Sequence, residues 1–273
     1  MLMAEPATTP TNILWENLDA DRKAGAAKGC CLTVFFFILA FFLFTPSFFV
    51  AIITFLIGGI AGAILGGFLP IILIAVYTTV LIPMIIYKLV DLERHHTKGA
   101  YVNSAMVKFL LFFAGEIFLL PTIVQPLILA VVEGGDLRHA IPSMLSYMGL
   151  QFGLFIGLMS FAWMGFWLLQ IPLLIVRMLN AKLACTPRSE AMAWANRPFD
   201  VPYYQAWYLV VTMIAFSYVT IAPVVTLIGA IYMNQRYWVD KYNICTLFYF
   251  DFESKGLTPR KAVSFILICM FFF

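Results

Sequence analysis

The chain has 273 residues, of which 63% are hydrophobic and 11% are charged, and its formal net charge is +3. The mean hydropathy of +0.94 excludes a soluble globular domain. A backbone in lipid must satisfy its own hydrogen bonds, which leaves helices or closed barrels, and the long continuous apolar stretches lack the alternation of barrel strands. We therefore predict an all-α protein, a polytopic transmembrane helical bundle.

The polar residues 1–30 are predicted to form a cytosolic N-terminal segment, followed by a transmembrane domain at 31–273. A signal peptide would begin with positive charge and continue into a short apolar core, and this pattern is missing. The apolar stretches predict six or seven membrane segments, the last of them too short to cross a bilayer. They are residues 31–57, 64–87, 101–132, 140–176, 204–221, 224–238 and the incomplete segment 262–273.

The basic residues orient these segments. By the positive-inside rule, loops rich in lysine and arginine lie in the cytosol. Such residues precede the first segment and follow the second and fourth, which predicts a cytosolic N-terminus. They include Arg22, Lys23, Lys28, Lys88, Arg94, Lys98, Arg177, Lys182 and Arg188.

The uncharged range 201–235 predicts a hairpin, because it exceeds the roughly 20 residues that one crossing needs. A single crossing would leave Arg236 and the later basic residues outside, whereas a hairpin returns them to the cytosol. We place the turn at Ala222 and Pro223, since proline removes a backbone donor and clashes with the preceding turn. Each arm is then about 25 Å long, which gives a short, re-entrant-like hairpin.

The uncharged range 140–176 contains small residues at every fourth position and, further on, a proline. Small side chains at this spacing let two helices approach closely, and glycine and proline also let a helix bend. Two interpretations stay open: a tightly packed helix face, or a hinged helix that faces a pore. The residues are Gly149, Gly153, Gly157, Gly165 and Pro172.

Lys108 and Glu116 are charged residues inside the third predicted segment, where a charge usually faces a partner or a cavity. Eight residues separate them, which is about 12 Å along a helix axis, so they do not pair directly. The long side chain of Lys108 is expected to reach the headgroups, and a cavity-facing role stays open for Glu116. Gln151 and Gln170 either line a water path or form hydrogen bonds between helices.

Motifs for catalysis are missing: there is no phosphate-binding loop, no His-Glu-x-x-His, no nucleophile elbow and no Cys-x-x-Cys. We therefore predict neither an enzyme nor a cofactor. The cysteines lack metal-like spacing, so no metal site is predicted. Basic residues are spread over juxtamembrane loops, which fits anionic lipid headgroups rather than nucleic acid.

Several motifs follow one another in a fixed order along the chain. A Trp-x-Asn-Leu core occupies residues 15–18, a double Leu-Pro-like pattern spans 69–83, and Gly165 is followed by an Ile-Pro-Leu triplet at 171–173. The longest motif begins at Arg-Pro-Phe-Asp and ends at Val-Asp-Lys-Tyr-Asn, over residues 197–243. This order resembles the OSCA-type osmosensitive cation channels of plants and their animal and fungal relatives, which are kin of the anoctamins.

The resemblance implies a mechanosensitive or osmosensitive, non-selective and calcium-permeable cation channel. Its pore would be lined by five helices and in part by membrane lipid, which makes 31–273 a pore-like domain with one gating helix. We expect that gate or hinge to comprise Gly149, Gly153, Gly157, Gly165, Phe166 and Pro172. We expect Glu116, Gln151 and Gln170 to line the pore.

The chain also departs from the resembled family. Family members are several times longer, with three earlier helices and a cytosolic domain, so the chain is truncated relative to them. Many of them carry an acidic residue where this chain has Phe166. The expected partners are membrane lipids, cations, and either another chain that supplies the missing parts or a larger complex. The alternative is a non-conducting structural subunit that reuses the channel fold, in the plasma membrane or an organellar membrane.

Overall fold

A computed structural model describes residues 9–19, 22–43, 77–124, 137–250 and 256–272. Helices make up most of these ranges, as expected for an apolar chain whose backbone groups must bond within each segment. This confirms the predicted all-α class, with one small exception. Two strands of two residues pair in parallel, with Arg197 opposite Phe248 and Pro198 opposite Tyr249.

The helices, in chain order, are interrupted in several places by π-helical turns. The α-helices are α1 (Arg22–Leu43), α2 (Ile82–Leu92), α3 (Lys98–Phe113), α4 (Leu137–Leu158), α5 (Met164–Leu169), α6 (Ile171–Leu183), α7 (Pro187–Trp194), α8 (Val201–Ser217), α9 (Pro223–Thr246) and α10 (Leu257–Phe272). The π-helical turns are Tyr77–Leu81, Ala114–Val124 and Met159–Trp163, and two short 3-10 turns are Pro10–Asn12 and Trp15–Asn17. The strands are β1 (Arg197–Pro198) and β2 (Phe248–Tyr249).

The described membrane segments agree only in part with the predicted ones. Two helical stretches among the described residues, Lys98–Leu119 and Met148–Leu183, are long and apolar enough to cross a bilayer. Helix α1 begins at Arg22, nine residues before the predicted first segment at 31–57. Parts of the predicted segments lie outside the described residues, namely 44–57, 64–76 and 125–132.

The chain divides into two compact units. The first unit comprises Met1–Leu120, Val201–Trp207 and Phe252–Ala262. The second unit comprises Pro121–Asp200, Tyr208–Asp251 and Val263–Phe273.

The first unit has an aromatic core between α2, α3 and the start of α8. The ring of Phe109 lies 5.5 Å from the rings of both Tyr87 and Tyr203, and Phe113 lies 4.5 Å from Trp207. Phe109 and Phe113 are completely buried. Buried aromatic pairs of this kind contribute beyond their area, by about 0.5–1.5 kcal/mol per pair, so this core fixes α3 against the first turns of α8.

The N-terminal motif of the first unit pairs with the loop before α3. The side-chain Oδ1 of Asn12 accepts a hydrogen bond from the backbone N–H of Gly99 at 2.9 Å. The backbone N–H of Leu14 donates to the carbonyl of His96 at 2.9 Å, and the Asn17 amide donates to the carbonyl of His95 at 3.0 Å. These hydrogen bonds therefore hold the loop before α3 in place.

The second unit is built around α9. Helix α8 ends at Ser217, and α9 begins at Pro223, where a missing N–H costs nothing at the first helical position. The chain folds back at the turn and brings α9 beside α8. The Thr226 hydroxyl donates to the carbonyl of Ala215 at 3.1 Å. Ala222 and Pro223 therefore lie at the start of α9, and their assignment to a membrane hairpin turn stays a prediction.

Candidate functional site

The helix predicted to gate a pore is broken at Gln170. Helix α5 ends at Leu169, and Gln170 adopts a left-handed conformation with φ 48° and ψ 40° before α6 begins. A left-handed conformation at a residue other than glycine costs about 1–3 kcal/mol and persists only where the surroundings enforce it. Pro172 follows in the first turn of α6, where its fixed φ suits a helix start. The break therefore lies two residues before the predicted kink at Pro172.

The glycine row lies on a different part of the same helix, where α4 packs on α9. A Cβ added at Gly149 would lie 2.9 Å from the Cβ of Ala222, closer than real Cβ atoms come. At Gly153 and Gly157 the nearest atoms would be 3.7 and 3.9 Å away, which is ordinary contact. Close approach thus requires glycine only at Gly149, which supports the packing interpretation at that position. The assignment of the row to a hinge stays a prediction.

Successive contacts advance along both helices, so α4 and α9 run parallel. Gly149 faces Ala222, and Gly153 faces Val225 and Ile228, eight residues before Arg236. Further along, α5 continues beside α9. The second unit therefore places α5, which ends at the helix break, beside α9.

Gly165 differs from the row, because no described atom lies within 4 Å of a Cβ built there. Packing in the second unit does not explain this glycine. The adjacent Phe166 is 51% exposed, and its ring lies 6.2 Å from that of Trp163. Gly165 and Phe166 are therefore free of close packing within this unit, as a flexible position requires.

A buried arginine, which the sequence did not predict as a functional residue, fixes α5 to α9. Arg236 is 4% exposed, with its guanidinium carbon 5.1 Å from the ring centre of Trp167 and 5.5 Å from that of Tyr208. Its Nε donates to the Tyr208 hydroxyl at 3.1 Å and pairs with Asp240 at 3.0 Å. The Asn243 amide donates to the carbonyl of Trp167 at 3.1 Å. We call these five residues the Arg236 cluster.

The role that the sequence suggested for Arg236 needs correction. It was counted as a juxtamembrane charge that would face lipid headgroups, but it is enclosed by two aromatic rings and a carboxylate. Its spacing from Asp240 and Asn243, four and seven residues, puts all three on one face of a helix. This spacing in the sequence indicates a polar face on α9 that can be buried.

Lys108 does not reach the headgroups as expected, because it is buried and paired. Its Nζ lies 2.8 Å from Oε1 of Glu93, and it donates to the Ser104 hydroxyl at 2.6 Å. The Ser104 hydroxyl in turn donates to Oε2 of Glu93 at 2.6 Å, and His95 Nε2 lies 2.8 Å from the same oxygen. The partner of Lys108 is thus a loop residue fifteen positions earlier, which helix periodicity does not predict.

The environment of Glu93 keeps it ionised. Burial alone raises the pKa of its carboxyl, but hydrogen bonds from Lys108 and Ser104, the charge of Lys108 and the His95 bond together lower it below the ordinary value. Helix α1 closes over the group, since a Cβ at Gly29 would collide with the Glu93 side chain. The cluster therefore ties α1, the loop after α2 and α3 together.

The other predicted pore residues are spread over both units. Glu116 is half-buried on the π-helical turn Ala114–Val124, in the part of it that belongs to the first unit. Gln151 is exposed on α4, and Gln170 is buried at the helix break, both in the second unit. The assignment of these three residues to a pore stays a prediction. Within the described ranges, no group of three or more His, Cys, Asp or Glu side chains comes together as a metal site would require.

The described residues thus form helices, two of which are long and apolar enough to cross a membrane, and the longer one, Met148–Leu183, is broken at Gln170. A family model described as "Calcium-dependent channel, 7TM region" matches residues 28–273. The chain belongs to this family, which confirms the resemblance to OSCA-type channels, and the family is one of ion channels.

Three curated relatives are similar over 97% of this chain. They are the osmosensitive cation channel TMEM63C of Danio rerio, 24% identical over 290 residues, the mechanosensitive cation channel TMEM63A of Mus musculus, 23% identical over 289 residues, and the mechanosensitive cation channel TMEM63B of Gallus gallus, 23% identical over 283 residues. The match covers 34%, 35% and 35% of these relatives, so the chain spans about a third of their length.

Proposed function

We propose that this chain forms the pore-containing part of a mechanosensitive or osmosensitive, non-selective cation channel. The names of its relatives support this, since they are osmosensitive or mechanosensitive cation channels. The chain spans about a third of their length, so the activity of a complete channel is proposed for an assembly that also holds the remaining helices and the cytosolic domain. The N-terminus lies in the cytosol, and the membrane is the plasma membrane or that of an organelle.

The helix break at Gln170 carries the proposal. A strained left-handed residue in the middle of an apolar helix has an alternative, straighter conformation that is lower in local strain. Membrane tension favours whichever conformation occupies the larger area in the bilayer, because a stimulus shifts an equilibrium only through its different effect on the two states. A bend in the gating helix supplies two such conformations.

Gly165 lies five residues before the break and makes the bend easier. Glycine lowers the stability of a helix by about 1 kcal/mol relative to alanine. Since no described atom comes within 4 Å of its Cβ position, a larger side chain fits there without a clash. A substitution at Gly165 therefore tests helix stiffness rather than packing.

Pressure-clamp recording from membranes that contain the complete channel assembly is the direct test. Gly165→Leu should abolish the pressure-evoked current or shift it to higher pressure, because leucine stabilises the helical conformation by about 0.8 kcal/mol. Gly115→Leu is the matched control, since its Cβ position is equally open but lies on the π-helical turn of the first unit. Identical pressure curves for Gly165→Leu and wild type would remove the hinge assignment.

A non-conducting structural subunit is the second candidate, and exposed apolar side chains on α5 favour it. Phe166, Leu168 and Leu169 are 51%, 46% and 66% exposed. A passage lined by such groups loses its water and blocks ions. Phe166→Glu restores a charge next to Gly165, so the channel proposal expects larger currents from this variant. If wild type and Phe166→Glu both carry no current in the complete assembly, the structural role is the better conclusion.

A further inference from the structure

Arg177 of α6 is a buried charge that has no acidic partner within the part of the chain that the structure describes. The residue is 8% exposed, and its Nη2 donates to the carbonyl of Ala195 at 3.2 Å. Its Nε is buried and has no hydrogen-bond partner among the described residues. The nearest acid in the sequence, Glu190, is exposed and takes part in no ion pair with the described residues.

This arrangement is incomplete for a guanidinium group. Arginine stays charged in proteins, and its planar fork is suited to two parallel bonds with a carboxylate or a phosphate. A buried charge is normally paired, whereas Arg177 has a single backbone carbonyl. The missing partner is therefore an anion, and no described side chain provides it.

The position of Arg177 indicates where that anion comes from. The apolar helical stretch Met148–Leu183 ends six residues, or about 9 Å, beyond Arg177. An arginine side chain spans much of this distance and reaches the headgroup layer from inside the apolar region. We therefore expect the guanidinium to lie near the depth of lipid phosphates.

The corner between α6 and α7 has the surface of a membrane interface. Lys182 and Arg188 are exposed there, next to the exposed apolar side chains Leu183, Met192 and Trp194. Tryptophan is enriched at the headgroup level of membranes, and basic residues attract acidic lipids. A capping box fixes the start of α7, since the Ser189 N–H donates to the Thr186 hydroxyl at 3.2 Å and the Ser189 hydroxyl accepts from the Thr186 N–H at 3.1 Å.

We propose that the corner between α6 and α7 binds the headgroup of an acidic phospholipid, with Arg177 as the buried phosphate contact. Lys182 and Arg188 attract the headgroup from the exposed side, and Leu183 and Trp194 lie beside the acyl chains. The site requires α6 to end at the membrane surface, but it does not depend on ion conduction. A lipid bound there stabilises the orientation of α6, which directly follows the helix break.

Native mass spectrometry of the full chain in mild detergent tests the site, with counting of retained lipids. The probes are phosphatidylserine, phosphatidylcholine and inorganic phosphate at equal concentrations. Wild type should retain phosphatidylserine in preference to phosphatidylcholine, and Arg177→Gln should retain about tenfold less. Arg260→Gln, an exposed arginine of α10 in the first unit, is the matched control and should behave as wild type.

A second variant keeps the test decisive if Arg177→Gln fails to fold. Lys182→Gln combined with Arg188→Gln changes exposed side chains alone, so the fold is kept, and acidic-lipid retention should fall about fivefold per residue. Equal retention of both lipids by wild type would overturn the proposal, and so would unchanged retention in these variants. Displacement of the lipid by free phosphate would also overturn it, because the site would then bind small anions rather than headgroups.

Discussion

Each of the two units encloses a basic side chain that an acid neutralises. In the first unit Lys108 pairs with Glu93, and in the second Arg236 pairs with Asp240. A buried pair contributes little net stability compared with apolar side chains of similar size, yet removal of one partner costs about 3–5 kcal/mol because the other is left uncompensated. Single substitutions at these residues therefore have large effects on the free energy of unfolding. The effects of the two pairs can be measured separately.

The Glu93 cluster predicts a loss of stability in acid. Because the pKa of Glu93 is lower in the folded protein than in the unfolded chain, its ionised form stabilises the fold near neutral pH. This stabilisation is lost as the pH falls through the lowered pKa of the folded state. Glu93→Gln should therefore lower the thermal midpoint at pH 7 and reduce its decline between about pH 5 and pH 3.

Thermal unfolding of the chain in detergent, followed by tryptophan fluorescence at several pH values, measures this effect. Asp91→Asn is the control, since Asp91 is an exposed carboxylate two residues earlier. Its stability curve should parallel that of wild type. If Glu93→Gln declines in acid as steeply as wild type, the ion pair with Lys108 does not contribute to the pH dependence.

The Arg236 cluster predicts a graded response to substitution. Arg236→Ala leaves the half-buried Asp240 without a partner and should destabilise the protein by up to about 3–5 kcal/mol. Arg236→Lys keeps the charge but loses the planar stacking on Trp167 and Tyr208, which is worth about 1–2 kcal/mol. The change in the free energy of unfolding is measured for both variants by denaturant unfolding in detergent.

Lys241 provides the control on the same helix. It lies 5.9 Å from the ring centre of Tyr237 and 5.7 Å from that of Trp238, and all three residues are exposed. Exposed cation–π contacts contribute about 0.5–1 kcal/mol, so Lys241→Ala should have a small effect. Equal losses for Arg236→Ala and Lys241→Ala would show that burial of Arg236 is unimportant for stability.

At the scale of elements, the same helix uses its glycines in two ways. At Gly149 the backbone of α4 approaches Ala222, whereas Gly165 faces open space within the second unit. A four-residue repeat of glycine does not distinguish these uses. The decisive information is the identity of the opposite atoms, which a single sequence does not contain.

A matched pair of alanine substitutions separates packing from flexibility. Gly149→Ala should destabilise the protein by about 1–3 kcal/mol, because the new methyl group overlaps Ala222. Gly157→Ala should stabilise it by about 0.5–1 kcal/mol, since its nearest neighbour would lie at ordinary contact distance, 3.9 Å. Thermal midpoints of both variants in the same detergent give the comparison. A destabilising Gly157→Ala would mean that the row is tightly packed along its whole length.

The element boundaries that could be predicted from the sequence are those set by proline and by charge. Pro223 begins α9, as its fixed φ favours, and a bend within 140–176 was one of the two interpretations that its glycines and Pro172 left open. The sequence did not identify Gln170 as the break, since glutamine has no left-handed preference and the surrounding structure enforces its conformation. Nor did it reveal the partners of Lys108 and Arg236, which depend on tertiary packing.

At the scale of the whole molecule, the chain holds about a third of the length of its relatives, and the family model matches its residues 28–273. The hinge and the acidic-lipid site both belong to the second unit. Neither supplies the cytosolic domain or the early helices expected of a complete channel. By comparison with these relatives, we expect a functional assembly to contain more protein than the 30.8 kDa of this chain.

Gentle extraction from native membranes, a native gel and identification of all co-migrating proteins test this prediction. We expect a single additional polypeptide that supplies the missing helices, or one longer polypeptide that contains this sequence. Pressure-evoked current should then appear only when all parts are reconstituted together. Migration as an isolated chain of 30.8 kDa that still conducts would contradict the split-channel proposal. Migration with many unrelated subunits and no pressure-evoked current would instead establish the structural role, because the fold would then be retained without conduction.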